Sequence, residues 1–516
     1  MQVDILIING QCINPDDENI YNWIAIKRDK IVAIGISNEY SQFVDFCDEI
    51  IDAKGSTVLP GFYDSHSHLV QTAINNVSLN LSKATSFCDI GDLMVEYIDK
   101  NPGKPIRAIG LDEQNLKEKK LPNRYVLDKF CDNAPVWVNK YEYHTSILNT
   151  YALLHYKIPF SVAGIELSDN NMPTGVFRHF ANALLRENIL NGMSNDFRWE
   201  ALKKLTPSLI NCGITTTASM EGGFMFCDKD ADFIYEYYKT SPIDLVLFYQ
   251  TTDVKKVKNM GLKRIGGSLF IDGSFGSRSA ALDSDYSDAS GNKGMLYYSQ
   301  EDLNFFLLEC YKNGLQTALH VIGERAIEVA LNAHEYAFKK TGNNTLRHRL
   351  EHVELPTASH LNRSKALNLI YSMQPAYEYY WGGADKMYFK RLGDRYKLTN
   401  PFDKIIEKGI TICGGSDSDV TPANPIMGIH SAVNHPVEEH RTTIMDAIKM
   451  FTINSAYAMF EEDIKGSLEV GKLADIVILS DDIMSIPAKH IKDITVKATI
   501  KSGNVLFNII NQRDGD

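Results

Sequence analysis

The chain has eight cysteines in 516 residues and not one Cys-x-x-Cys pair. Scattered as Cys12, Cys47, Cys88, Cys131, Cys212, Cys227, Cys310 and Cys413, they read as free thiols in a reducing compartment. No stretch reaches the roughly 18 apolar residues needed to cross a bilayer. Residues 1–25 also lack the basic start and apolar run of a signal peptide. The expected location is cytoplasmic. Positive charge is scarce too: 53 Lys and Arg stand against 65 Asp and Glu, a net charge of −12. Without a broad basic field, neither nucleic acid nor an anionic membrane is an expected partner. The 44% hydrophobic and 23% charged residues are the balance of a globular protein. The chain is too long for one ordinary core, so two or more structural units are expected.

What the sequence does hold is organised around Leu59-Pro-Gly-Phe-Tyr-Asp-Ser-His-Ser-His-Leu69. A Pro-Gly break leads into a short apolar run and then His66 and His68. On a strand, residues two apart leave the same face, so both imidazoles project together. Paired neutral imidazoles at a strand end are a natural start for a divalent metal site.

The first sixty residues read as β structure, with Trp23–Lys27 and Lys30–Gly35 flanking a turn as a hairpin. Short strands with Gly turns return in 466–479 and 496–506. Neither end has enough strands to close a sandwich alone, so the two ends are expected to pair. Between them, apolar strand-like runs alternate with amphipathic helical patterns such as 197–211 and 302–313. Eight candidate strands end near His68, Thr217, Thr251, Asp272, His320, His352, Gln374 and Asp417. Eight βα units predict an α/β fold of the (β/α)8 TIM-barrel type. The interval of about 75–195 is too long for one connection and is expected to be an inserted subdomain over the barrel mouth. The expected division is 1–59 and 460–516 as two parts of a β-sandwich, with 60–459 as the barrel.

A TIM barrel carries its active site at the C-terminal ends of its strands, and the candidate ligands fall there. His66 and His68 end strand one, His320 strand five, His352 strand six, and Asp417 follows strand eight. A lone His or Asp at a strand end is more often a structural hydrogen-bonder. Four imidazoles and a carboxylate together suit zinc, or iron or manganese, better than calcium or magnesium.

Several longer motifs accompany this set in order. They include Asp272-Gly-Ser-Phe-Gly-Ser-Arg278, Leu319-His-Val-Ile-Gly-Glu-Arg325, Arg347-His-Arg-Leu-Glu-His352, Ser372-Met-Gln-Pro375, Gly415-Ser-Asp417 and Gly466-Ser-Leu-Glu-Val-Gly-Lys-Leu-Ala-Asp475. With these motifs the chain resembles the amidohydrolase superfamily, in the branch of YtcJ-like and N-substituted formamide deformylase-like proteins, over almost its whole length. The resemblance implies metal-assisted hydrolysis at a carbon bearing a nitrogen leaving group, on a small-molecule substrate. It assigns His66, His68 and Asp417 to the more buried metal, with His320 and His352 holding a second ion or touching substrate. Asp417 would be the general base, and His320 a second catalytic group.

The match has departures. Many relatives with two metals carry a strand-four lysine that is carboxylated and bridges the ions; Ser268 stands at that position here. One ion is therefore favoured over two, with Asp272 and Glu221 as substitute bridging carboxylates if two bind. His144, Arg278 and Asp272 are candidate substrate-binding residues, with pairing on the barrel rim the preferred reading of Arg278, while His179 is ambiguous. Tyr377, Tyr379, Tyr380 and Trp381 follow strand seven and read as rim packing or as an apolar wall for substrate. A heterocycle deaminase and a non-catalytic ligand-binding barrel are the rival functions. A homodimer is the default assembly for such an enzyme.

Overall fold

The computed structural model describes residues 2–141, 145–223 and 226–510. Eight strands form one parallel sheet: β1 (Phe62–Ser67), β2 (Ile214–Glu221), β3 (Asp244–Tyr249), β4 (Arg264–Phe270), β5 (Gln316–Val321), β6 (Arg349–His352), β7 (Ile370–Met373) and β8 (Ile412–Gly414). Each pairs in parallel with the next, as where Leu319 faces Leu350 and Ser372 faces Cys413. A parallel bridge between Ser67 and Ser418 brings the two edges together, so the sheet is a near-closed barrel. The (β/α)8 fold expected from the alternating pattern is present.

The strands are buried on both faces, and most of their side chains are apolar or small; the main exception is β6, Arg349-Leu-Glu-His352. Tyr63, Ala218, Met220, Val246, Phe248 and Ala318 form one cluster of this interior. The predicted helices are present at Asn195–Asn211 and Gln300–Lys312, the latter capped by the Ser299 side chain accepting from the Asp302 N–H. One strand end differs from expectation. β2 continues past Thr217 to Glu221, because the small and β-branched run Thr215-Thr-Thr-Ala-Ser-Met-Glu221 remains paired with β3 throughout. The extension carries Glu221 to the C-terminal end of the barrel.

The chain ends do pair. Ile476–Leu479 runs antiparallel to Thr57–Pro60, placing Val477 opposite Leu59, within a six-stranded sheet. A second sheet of four strands contains the 23–27/30–35 hairpin and Val3–Ile8. Ile5, Ile7, Ile24 and Ile26 from one sheet meet Ile476, Ile478 and Ile500 from the other in a common core. Each such buried side chain contributes about 1.5–3 kcal/mol.

By its internal contacts the chain divides into two compact units. One is 1–69, 206–221 and 234–516; the other is 70–205 with 222–233. The second unit has its own six-stranded mixed sheet, including Ile106–Leu111, Val136–Lys140 and Pro173–Arg178. It is tied internally by Arg198, fully buried, whose Nε donates to Asp230 at 2.7 Å and whose Nη1 caps the Met193 carbonyl. No helix among the described residues is long and apolar enough to cross a membrane.

Candidate metal centre

Three predicted ligands converge. One ligand atom each from His66, His68 and Asp417 lies within 4.8 Å of the others, and all three residues are buried. Asp417 Oδ1 is 3.4 Å from His66 Nε2 and 3.2 Å from His68 Nε2. The convergence is built by backbone. The Asp417 N–H donates to the His66 carbonyl at 2.7 Å, and the His68 N–H to the Ser418 carbonyl at 2.8 Å. Asp64 adds a further tie, accepting from the Ser416 N–H at 2.8 Å and its hydroxyl at 2.5 Å. So close an approach requires Gly415, where a Cβ would fall 2.5 Å from the His66 nitrogen.

Second partners fix the ring orientations. His66 Nδ1–H donates to Glu351 Oε2 at 2.6 Å and His68 Nδ1–H to the Met220 carbonyl at 2.8 Å. With Nδ1 engaged in each ring, Nε2 is the atom that faces the carboxylate and is left to ligate. His352 is held the same way, its Nδ1–H on Gln374 Oε1 at 2.6 Å. Its ring centroid lies 5.0 Å from that of His66 and 4.4 Å from that of His320. His320 and His352 thus sit beside the trio rather than within it. His352 (φ 72°), the following Val353 (φ 49°) and Asp417 (φ 52°) all adopt left-handed backbone, a concentration of unusual conformations at these strand ends.

The site is electrostatically poised for a cation. Burial acts to lower the His66 pKa, but the Asp417 and Glu351 carboxylates outweigh it and raise it to about 9. Burial would raise Asp417, yet the imidazoles of His66 and His68 hold it well below the usual carboxylate range. His352 is kept neutral by burial, with His320 and His66 beside it. His66 Nε2 and Asp417 Oδ1 are buried with no hydrogen-bond partner, the arrangement expected of atoms that ligate. Two imidazole nitrogens and a carboxylate are a donor set that fits zinc.

Beneath His66 lies a buried ion pair. Arg349 donates from Nε to Glu351 Oε1 and from Nη2 to Oε2, each at 2.8 Å, and Nη2 also reaches the Ser65 carbonyl at 2.7 Å. Burial would raise Glu351, but Arg349 foremost and then His66 bring it from 4.5 down to about 2. A carboxyl depressed on folding contributes stability above its unfolded pKa and loses it as pH falls. Here that contribution, about 3 kcal/mol by linkage, is lost from about pH 4.5 down towards 2. Acid unfolding followed by circular dichroism should therefore be less steep in Glu351→Gln than in the wild type across that window. Equal slopes would mean that this carboxyl does not carry the dependence.

Other predicted residues fall elsewhere. Asp272 is fully buried, and its carboxylate accepts three backbone N–H groups, from Ala281 (2.8 Å), Ile322 (3.0 Å) and Gly323 (2.9 Å). This ties down the loops after β4 and β5. Its Oδ1 is 3.4 Å from His320 Nδ1. Arg278 pairs with Asp288 through two bonds of 3.0 and 2.8 Å. Ser268 is buried on β4. Glu221 accepts from the Ser219 hydroxyl at 2.6 Å. His179 is exposed at the start of a helix, and His144 lies outside the described residues.

Sequence reasoning missed what Tyr377 does. Its hydroxyl donates to Asp417 Oδ2, and its ring stacks on His352 at 6.1 Å with an 11° interplanar angle. The signal available was only an aromatic run after β7. Arg349 and Glu351 were also passed over, although Arg-x-Glu on a strand puts both on one face.

A near-closed parallel barrel with a His-His-Asp cluster at its C-terminal end defines a metal-dependent hydrolase scaffold. The chain belongs to the amidohydrolase family: the model described as "Amidohydrolase family" (Amidohydro_3) matches residues 49–507. It is 28% identical to Protein LONG AFTER FAR-RED 3 of Arabidopsis thaliana, over 98% of this chain and 91% of that protein. It is 24% identical to the N-substituted formamide deformylase of Arthrobacter pascens, over 97% of each. Among solved structures, an uncharacterized metal-dependent hydrolase of Pyrococcus furiosus superposes with a TM-score of 0.77 at 25% identity, over 93% of this chain and 100% of that one. Members of this family hydrolyse small molecules with the help of a metal.

Proposed function

We propose that the protein hydrolyses a non-peptide C–N bond of the amide or N-substituted formamide kind, using one zinc ion held by His66, His68 and Asp417. The observation that carries this reading is the buried trio, with its ligand atoms within 4.8 Å and oriented by Glu351 and the Met220 carbonyl. The full-length likeness to a formamide deformylase supports the bond type. A zinc ion there would lower the pKa of water so that hydroxide is available near neutral pH. Asp417 accepts the proton of the attacking water and returns it to the leaving nitrogen. A carboxylate has lone pairs enough to do this while Oδ2 also accepts the Tyr377 hydroxyl. His320 and His352, neighbours of the trio, face the substrate carbonyl. The free state of all eight cysteines supports a cytoplasmic location.

The test is metal content. Elemental analysis of protein purified without added metal is expected to give one zinc per chain, absent from His66→Ala. Two ions per chain, or none after reconstitution, would overturn the single-ion site.

A second reading, a mononuclear deaminase of a heterocycle, is favoured by Ser268, since serine cannot form the lysine carbamate that bridges two ions. Ammonia released from aminated heterocycles, with formamides and amides untouched, would select it.

A further inference from the structure

The chain after β7 reaches both flanks of the trio within four residues. Gln374 accepts from His352, and Tyr377, in the short helix Ala376–Trp381, donates to Asp417. Tyr377 is held rigidly. Its ring stacks on His352 and meets Trp381 edge-on at 4.7 Å, and it is buried. A carboxylate only accepts, so the phenol hydroxyl is the donor.

Asp417 needs such a restraint. It lies in a left-handed turn three residues beyond the end of β8, where the backbone bond to His66 fixes its Cα but not the rotation of its carboxylate. Its two oxygens have different neighbours. Oδ1 faces the two imidazoles without a hydrogen bond, whereas Oδ2 takes the Tyr377 hydroxyl. We propose that Tyr377 is a positioning residue whose hydroxyl holds Asp417 Oδ2, so that Oδ1 is presented to the metal with His66 and His68. This rests on the metal reading of the trio given above.

The experiment measures zinc affinity of the full chain by competition with a chromophoric chelator. Tyr377→Phe removes one oxygen and keeps the ring stack. It should bind one zinc at saturation but roughly 10–100-fold more weakly, the usual effect of losing a ligand's outer partner. Tyr380→Phe, at a partly exposed ring of the same helix, should match the wild type. The decisive readout is the Asp417→Ala background, which removes the oxygen that Tyr377 holds. If Tyr377 acts through Asp417, adding Tyr377→Phe there costs much less than it does in the wild type, whereas a merely structural tyrosine costs the same in both. Wild-type affinity in Tyr377→Phe, or equal losses in the two backgrounds, would overturn the inference while leaving the metal site standing. A wild-type chain that takes no zinc would instead overturn the metal reading, and this inference with it.

Discussion

Asp417→Asn is expected to lower turnover by roughly 10²–10⁴-fold, the contribution of one positioned acid–base group. The side chain keeps its shape, and the amide oxygen still accepts a hydrogen bond from Tyr377, so the turn after β8 is retained. What is lost is the ability to take a proton from the attacking water. Because Asn is also a weaker ligand, the measurement is turnover per bound zinc, with N-alkyl formamides and simple amides that the wild type hydrolyses as substrates. A variant that turns over at close to the wild-type rate per zinc would remove Asp417 from the role of base.

The second large effect is on stability. Arg349 and Glu351 are both fully buried, and Arg349 also lies over Phe248 with its guanidinium carbon 4.5 Å from the ring centre. Arg349→Met would leave the Glu351 carboxylate with only His66 as a side-chain partner. Removing one member of a buried pair typically costs about 3–5 kcal/mol, because the remaining charge cannot be hydrated. The midpoint of urea unfolding should fall accordingly. In Arg349→Met/Glu351→Leu, where no unpaired charge remains, much of the loss should be recovered. The double variant should nevertheless bind zinc poorly, since His66 no longer has the carboxylate that orients it. Wild-type stability in the single variant would show that the pair contributes little.

The barrel was legible because most of its strands are short apolar or small-residue runs with a chemistry-bearing residue at the far end. His66-x-His68 was legible because a strand's period of two puts both rings on one side. Other parts of the site depend on geometry that local pattern does not encode. Tyr377 reaches Asp417 across 40 residues of sequence only because a helix begins directly after Pro375 and turns that phenol inward. Nothing in an aromatic run distinguishes that ring from Tyr379 or Tyr380, which stay partly exposed. Arg278 reads as a substrate contact or a rim partner, and only the folded loop shows Asp288 alongside it. Asp272 reads as a substrate contact or a bridging carboxylate, and nothing local shows that the turns after β4 and β5 supply it with three N–H donors. Local pattern does not say which charge has a partner; the folded loops do.

The pairing of Thr57–Pro60 with Ile476–Leu479 also bears on how the protein is made. More than 400 residues separate these strands. At the usual ~5–20 residues per second, the ribosome needs roughly 20–80 s to supply the later strand after the earlier one. Throughout that interval Thr57–Pro60, which leads directly into the barrel, lacks its antiparallel neighbour and presents an open apolar edge. Nascent chains are thus exposed to mispairing until translation is almost finished, and a stop codon before residue 476 strands that edge permanently. Production of this enzyme in a cell is expected to depend on chaperone capacity more steeply than its folded stability alone would suggest.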